Sequence, residues 1–92
     1  MSNNLAVAKS IPPEFRRQLL NDNIIYKAVV TPGDTHMAIL IIIYRTYIFS
    51  EEPPIDINNP CLKCLAKILE VFRVIQPELV TLEKESKLLE GV

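Results

Sequence analysis

Apolar residues recur in alternating steps of three and four along the last third of the chain, from Cys61 to Leu89. Residues at this spacing lie on one face of an α-helix, so the pattern predicts a long C-terminal helix. Asn59 suits the N-cap of that helix and Pro60 its first turn. Pro77 lies off the apolar stripe and leaves its phase unchanged, which favours one helix kinked at Pro77 over two consecutive helices. The stripe consists of Cys61, Leu65, Ile68, Phe72, Ile75, Leu79, Leu82, Ser86 and Leu89.

The beginning of the chain predicts an arm followed by a short helix. We expect residues 1–10 to form a flexible N-terminal arm and residues 11–92 to form a single small domain. Pro13 is tolerated in a first helical turn and Glu14 suits the positive end of the helix dipole, so a helix is predicted over residues 13–21. The Asn and Asp residues at positions 21–23 favour a turn that ends it.

The middle of the chain has the composition of a β-hairpin. Residues 24–31 alternate in the manner of a strand, and residues 36–49 are rich in β-branched and aromatic side chains. Pro32 and Gly33 between them fit the centre of a type II turn. The predicted fold class is therefore α+β: a short helix, an antiparallel hairpin, an irregular crossover over residues 51–60, and a long helix packed on the sheet.

The second predicted strand is apolar on both faces, and a two-stranded ribbon of that kind is not stable in water. The helices of the same chain can cover one face, and a second copy would cover the other. We therefore predict a homodimer joined through its hairpins. Its expected interface residues are Met37, Ile39, Ile41 and Ile43.

Acidic residues flank the C-terminal stripe after Ile75, so two copies pairing there would set glutamate against glutamate. This acidic seam, defined by Leu79, Leu82, Glu83 and Leu89, favours a basic-edged partner. One candidate is the first helix of the same chain, where Arg16 and Arg17 flank the apolar side. The other is a separate basic protein, with the acidic seam as its binding site.

Cys61 and Cys64 form a C-x-x-C motif at the predicted start of the long helix, where the helix dipole can lower the pKa of a thiol. Both fall on the apolar side of that helix, which favours buried core cysteines. The alternatives are a thiol-redox module or a zinc site, and zinc would need two further thiolates from another copy.

Arg45, Tyr47 and Phe49 share one face of the long predicted strand, with Tyr44 opposite. Such side chains can stack single-stranded bases, but they also line subunit contacts. The formal net charge of −1 lacks the basic excess typical of nucleic-acid binding, so a protein contact is the favoured role of these three residues.

Catalytic chemistry has little support in the sequence. His36 is the only histidine, and with Asp34 it makes an incomplete metal site beside a turn. The two glycines exclude a glycine-rich phosphate loop. We predict no catalytic residues, no metal and no cofactor.

The chain shows neither a targeting segment nor an apolar run long enough for a membrane span, and its two cysteines suggest a reducing setting. The sequence therefore predicts a small, cytoplasmic, non-enzymatic interaction or regulatory protein with no membrane association. Thiol-redox or zinc-dependent function and single-strand nucleic-acid binding are the alternatives.

Overall fold

The computed structural model describes residues 3–49 and 61–90, and most of these residues lie in helices. The described residues contain no strand, so the predicted α+β fold with its β-hairpin is wrong and the architecture is all-helical. The elements are α1 (Asn4–Ser10), α2 (Pro13–Asn21), α3 (Ile24–Lys27), α4 (Thr35–Ile43), a π-helical segment (Tyr44–Ile48) and α5 (Leu62–Glu90).

Helix α4 replaces the second predicted strand. The segment is apolar at nearly every position, so no period in its sequence separates a strand from a buried helix. Asp34 supplies the missing signal: its Oδ2 accepts a hydrogen bond of 2.8 Å from the backbone N–H of Met37 and so caps the helix. Met37, Leu40 and Ile43 are buried at helical spacing, which shows that packing overrides the strand preference of the isoleucines.

Helix α3 replaces the first predicted strand. Asn23, the residue just before this helix, is in the left-handed conformation (φ 52°). Ile24 and Ile25 are both buried although they are adjacent. Adjacent residues point to opposite faces of a strand, whereas a short helix here turns both into the core. Tyr26 is consequently left 85% exposed.

The hairpins predicted to join a homodimer are therefore absent from residues 3–49 and 61–90, while self-association as such stays a prediction. Met37 and Ile43 are 1% and 3% exposed within the single chain and cannot line a subunit contact. Ile39 and Ile41 are half-buried against the same core. The helices of one copy thus cover most of the apolar surface that the sequence assigned to a partner.

Helix α1 lies in the segment expected to be an arm. It packs against α5, with Ala8 fully buried and Ile11, just after the helix, also fully buried. Pro12 then separates α1 from α2. The mobility of residues 1–10 stays a prediction.

Helix α5 is the element against which the rest of the chain packs, since α1, α2, α3 and α4 all contact it. It continues through Pro77 as one helix, as the phase of the stripe favoured. Its buried residues are Leu65, Ile68, Leu69, Phe72, Ile75 and Leu79. The predicted cap at Asn59 and Pro60 and the crossover over residues 51–60 lie outside the described residues.

Within the described ranges, none of the helices combines the length and the apolar character needed to cross a bilayer.

Candidate functional sites: an apolar groove and a cysteine pair

A groove runs between the loop over residues 31–34, helix α4 and Leu65 near the start of α5. It has a volume of about 330 Å³ and a mostly apolar lining. We call it the α4 groove and define it by Asp34, Met37, Ala38, Ile41, Ile42 and Leu65.

Ile42 is the most unusual residue of this groove, because it is 65% exposed in the last turn of a largely apolar helix. A helix that is apolar on all sides is normally buried on all sides. Leu40 and Ile43 face the core of the chain, whereas Ala38 and Ile42 are exposed. The α4 groove therefore leaves apolar surface in water.

Asp34 is the only charged residue among the described residues that line the groove. The hydrogen bond from the backbone N–H of Met37 lowers the pKa of the Asp34 carboxyl, and a second bond of 3.1 Å from the N–H of Val29 lowers it further. The carboxylate is thus charged at neutral pH. Within the described residues no three His, Cys, Asp or Glu side chains converge on a point where a metal ion could sit, and Asp34 serves as a helix cap.

Cys61 and Cys64 are both exposed, so the interpretation as buried core cysteines is wrong. The buried face of α5 begins only at Leu65, and the cysteines occupy the turn before it. The backbone N–H of Cys64 donates a hydrogen bond of 3.2 Å to Cys61 Sγ.

The Cys61 thiol has a lowered pKa. The largest cause is a hydrogen bond from the Cys64 side chain, followed by the backbone N–H of Cys64 and then by Lys63. Each of these stabilises the thiolate, which is the nucleophilic form of cysteine.

Arg45, Tyr47 and Phe49 do not share a strand face, because the first two lie in the π-helical segment and Phe49 follows it. The rings of Phe15 and Tyr47 lie 5.6 Å apart, and those of Tyr44 and Phe49 lie 6.3 Å apart. The aromatic rings thus pack within the chain, and Arg45 is half-buried with a buried Nε. The predicted strand face is therefore wrong, while a role of these three residues in a protein contact or in base stacking stays a prediction.

The acidic seam is occupied in part by α2 of the same chain. Leu79 is fully buried, Leu82 packs against the core, and Glu83 lies 3.7 Å from the Arg17 guanidinium. The side chain of Leu89 lies outside the described residues. The structure therefore shows the intramolecular alternative for this seam, while a separate basic protein there stays a prediction.

Sequence reasoning missed the α4 groove, because a strand assignment gave Ile42 no special place. The available signal was the order Gly33-Asp34-Thr35 before an apolar run, in which Asp34 is a good N-cap residue. A helix started at Thr35 would have placed Ala38 and Ile42 on one face, one turn apart.

Comparisons of the chain with protein families, with curated proteins and with solved structures found no match. The function is therefore argued from the two sites themselves.

Proposed function

We propose that this chain is a small non-enzymatic interaction protein that binds a cationic amphipathic helix of another protein in the α4 groove. The observation that carries the proposal is the 65% exposure of Ile42 at the rim of an apolar groove. Grooves of this kind accept the apolar side chains of an amphipathic helix.

The size of the groove favours a few anchoring side chains over a drug-sized ligand. Its volume of about 330 Å³ lies at the lower end of the range of about 300–1,000 Å³ for small-molecule pockets. Full burial of an isoleucine side chain contributes about 1.5–3 kcal/mol, so covering Ile42 contributes about 1–2 kcal/mol. That corresponds to roughly a tenfold gain in affinity.

The charge of the groove favours a basic partner. Asp34 is ionised at its edge, and none of the described residues lining the groove carries a positive charge. A Lys or Arg beside the aliphatic anchor would meet this carboxylate. Such an exposed pair adds little affinity, but it fixes the orientation of the helix and raises its association rate.

Selection from a random library of amphipathic helical peptides tests the proposal. Wild-type protein is the bait, and Ile42→Lys is used for counter-selection. We expect enriched peptides to share aliphatic residues three or four positions apart with a neighbouring Lys or Arg. Their affinity should fall about tenfold or more for Ile42→Lys, because the added cation is buried against an apolar anchor and repels the basic residue.

Val74→Lys is the control, because it places the same charge on an aliphatic position of α5 that is 46% exposed and lies outside the groove. Circular dichroism verifies that both variants are folded. Equal binding to wild type and Ile42→Lys, or an equal loss in Val74→Lys, would contradict the proposal. A wild-type homodimer that Ile42→Lys dissociates in sedimentation would also overturn it, since a second copy would then fill the groove.

A further inference from the structure

The two cysteines lie together at the exposed start of α5, apart from the interaction proposed for the α4 groove. Cys61 immediately precedes the first helical residue, and Cys64 lies three positions later on the same turn. Both side chains are exposed and both thiols are reduced. The contact between them is a hydrogen bond of 3.2 Å from Cys64 N–H to Cys61 Sγ.

We propose that Cys61 and Cys64 form a reversible disulfide by thiol–disulfide exchange with small-molecule disulfides, with Cys61 as the attacking thiol. This activity goes beyond peptide binding in the groove and does not depend on it.

Closure of this bond requires the two cysteines to move closer at the start of α5. Side chains three positions apart on a helix have their Cβ atoms about 5–6 Å apart, and a disulfide needs about 3.5–4.5 Å. Cys61 lies just outside the helical residues, and its carbonyl accepts from the N–H of Leu65 at 3.0 Å. A small rotation at this end residue can bring the sulfur atoms together without breaking the interior of α5.

The surroundings of the two thiols decide which one attacks first. The Cys61 sulfur accepts hydrogen bonds from the side chain and the backbone of Cys64, and Lys63 lies close enough to stabilise a negative charge. Helix N-termini and nearby cations increase the thiolate fraction in this way.

The reaction balances in two steps. The Cys61 thiolate attacks one sulfur of a disulfide R–S–S–R, which forms the mixed disulfide Cys61–S–S–R and releases R–S⁻. The Cys64 thiolate then attacks the Cys61 sulfur, which forms the Cys61–Cys64 bond and releases the second R–S⁻. The two cysteines are oxidised and the small disulfide is reduced. The two protons lost by the cysteines pass to the two R–S⁻ groups, which become two R–SH thiols.

Equilibration of the full chain with glutathione and glutathione disulfide tests the proposal. At each ratio the remaining thiols are alkylated and the protein mass is measured. We expect the oxidised protein to carry no alkyl group, to have the mass of the unalkylated reduced chain less two hydrogens, and to be monomeric. Recovery of both thiols on addition of excess reduced glutathione should be complete.

Single variants test the assigned order of attack. Cys64→Ser should accumulate a mixed disulfide with glutathione at Cys61, because the resolving thiol is absent. Cys61→Ser should react severalfold more slowly at Cys64. Equal rates in the two variants would overturn the assignment of Cys61 as the attacking thiol.

Two other outcomes would overturn the disulfide itself. One is a wild-type protein that carries only mixed disulfides and never loses two hydrogens. The other is Zn²⁺ alone bridging two copies through four thiolates and blocking exchange, which would assign the pair to a metal. Circular dichroism of both redox states controls for unfolding of α5.

Discussion

At the scale of single residues, Asp34 combines structural and electrostatic roles. Its Oδ2 accepts from the backbone N–H of Met37 at the N-terminus of α4 and from that of Val29 in the preceding loop. The same carboxylate places a negative charge at the edge of the α4 groove. A change at this position should therefore alter both stability and peptide binding.

We expect Asp34→Ala to lower the free energy of unfolding by about 0.5–2 kcal/mol through loss of the helix cap. Asp34→Asn should retain most of that stability at neutral pH, because asparagine caps helices as well as aspartate does. Urea unfolding of the wild type and both variants measures these differences. An Asp34→Ala variant as stable as wild type would contradict the assigned cap.

The lowered pKa of Asp34 also predicts the direction of a pH effect. Because the pKa of Asp34 in the folded protein lies below the ordinary aspartate value of 3.8, the charged form contributes stability above that value. This contribution is lost as the pH falls through the folded pKa. The stability of wild type relative to Asp34→Asn should therefore decrease when unfolding is measured at progressively lower pH. A difference that is constant with pH would contradict the shift.

Single residues also show why the β-hairpin predicted for the middle of the chain is wrong. Asp34 fits a turn beside Pro32 and Gly33 as well as it fits a helix cap. Ile24 and Ile25 were assigned to opposite strand faces, and both are buried. Local residue preference fits either structure here, and only packing against α5 decides between them.

At the scale of elements, Pro77 lies inside α5 although its chemistry opposes a helix. Pro77 has no N–H to donate to the carbonyl of residue 73, yet α5 continues through it. Thr81 Oγ1 donates to the Pro77 carbonyl at 3.1 Å, one turn later. The burial of residues on both sides of Pro77, including Ile75 and Leu79, compensates for the missing bond.

We expect Pro77→Ala to raise the free energy of unfolding by about 2 kcal/mol. Alanine is about 3 kcal/mol more favourable than proline in a helix interior, and the greater freedom of the unfolded chain offsets about 0.4–1 kcal/mol of this. Urea unfolding measures the change, with the exposed Lys84→Ala as a control that should stay within about 0.5 kcal/mol. A destabilised Pro77→Ala would show that α5 depends on a bend at this residue.

The elements differ in how far their sequences determine them. The bounds of α2 follow from Pro13 and the turn after it, and the stripe of α5 has a clear period. Helix α4 has no such period, because nearly all of its positions are apolar. The sequence therefore predicted α2 and α5, whose polar positions mark a face, and failed at α4, where few positions are polar.

At the scale of the whole molecule, stability depends on the core that α5 forms with the other helices. Phe72 is fully buried and has the largest side chain among the fully buried residues. We expect Phe72→Ala to lower the free energy of unfolding by about 3–5 kcal/mol, a large part of the about 5–15 kcal/mol typical of a domain. Val74→Ala, on the exposed side of the same helix, should change it by about 0.5 kcal/mol or less.

Denaturant unfolding monitored by circular dichroism checks this prediction. The two variants should show similar dependence on urea concentration, because both unfold the same helical surface. Equal midpoints for Phe72→Ala and Val74→Ala would contradict the position of the core.

The candidate sites could be predicted only in part. The spacing of Cys61 and Cys64 is visible in the sequence, but their exposure depends on where the core-facing side of α5 begins. The α4 groove depends on the tertiary placement of α4 against Leu65, which residues far apart in the chain determine. Neither burial nor grooves follow from periodicity alone.

The length of α5 has a practical consequence for reporter design. At about 1.5 Å per residue, Leu88 lies about 35 Å along the axis from Leu65, and it is 71% exposed. A fluorophore attached there would be remote from the peptide groove and from the thiols at the opposite end of the rod. The fluorescence anisotropy of this label would report complex formation, and the label itself would not compete for either site.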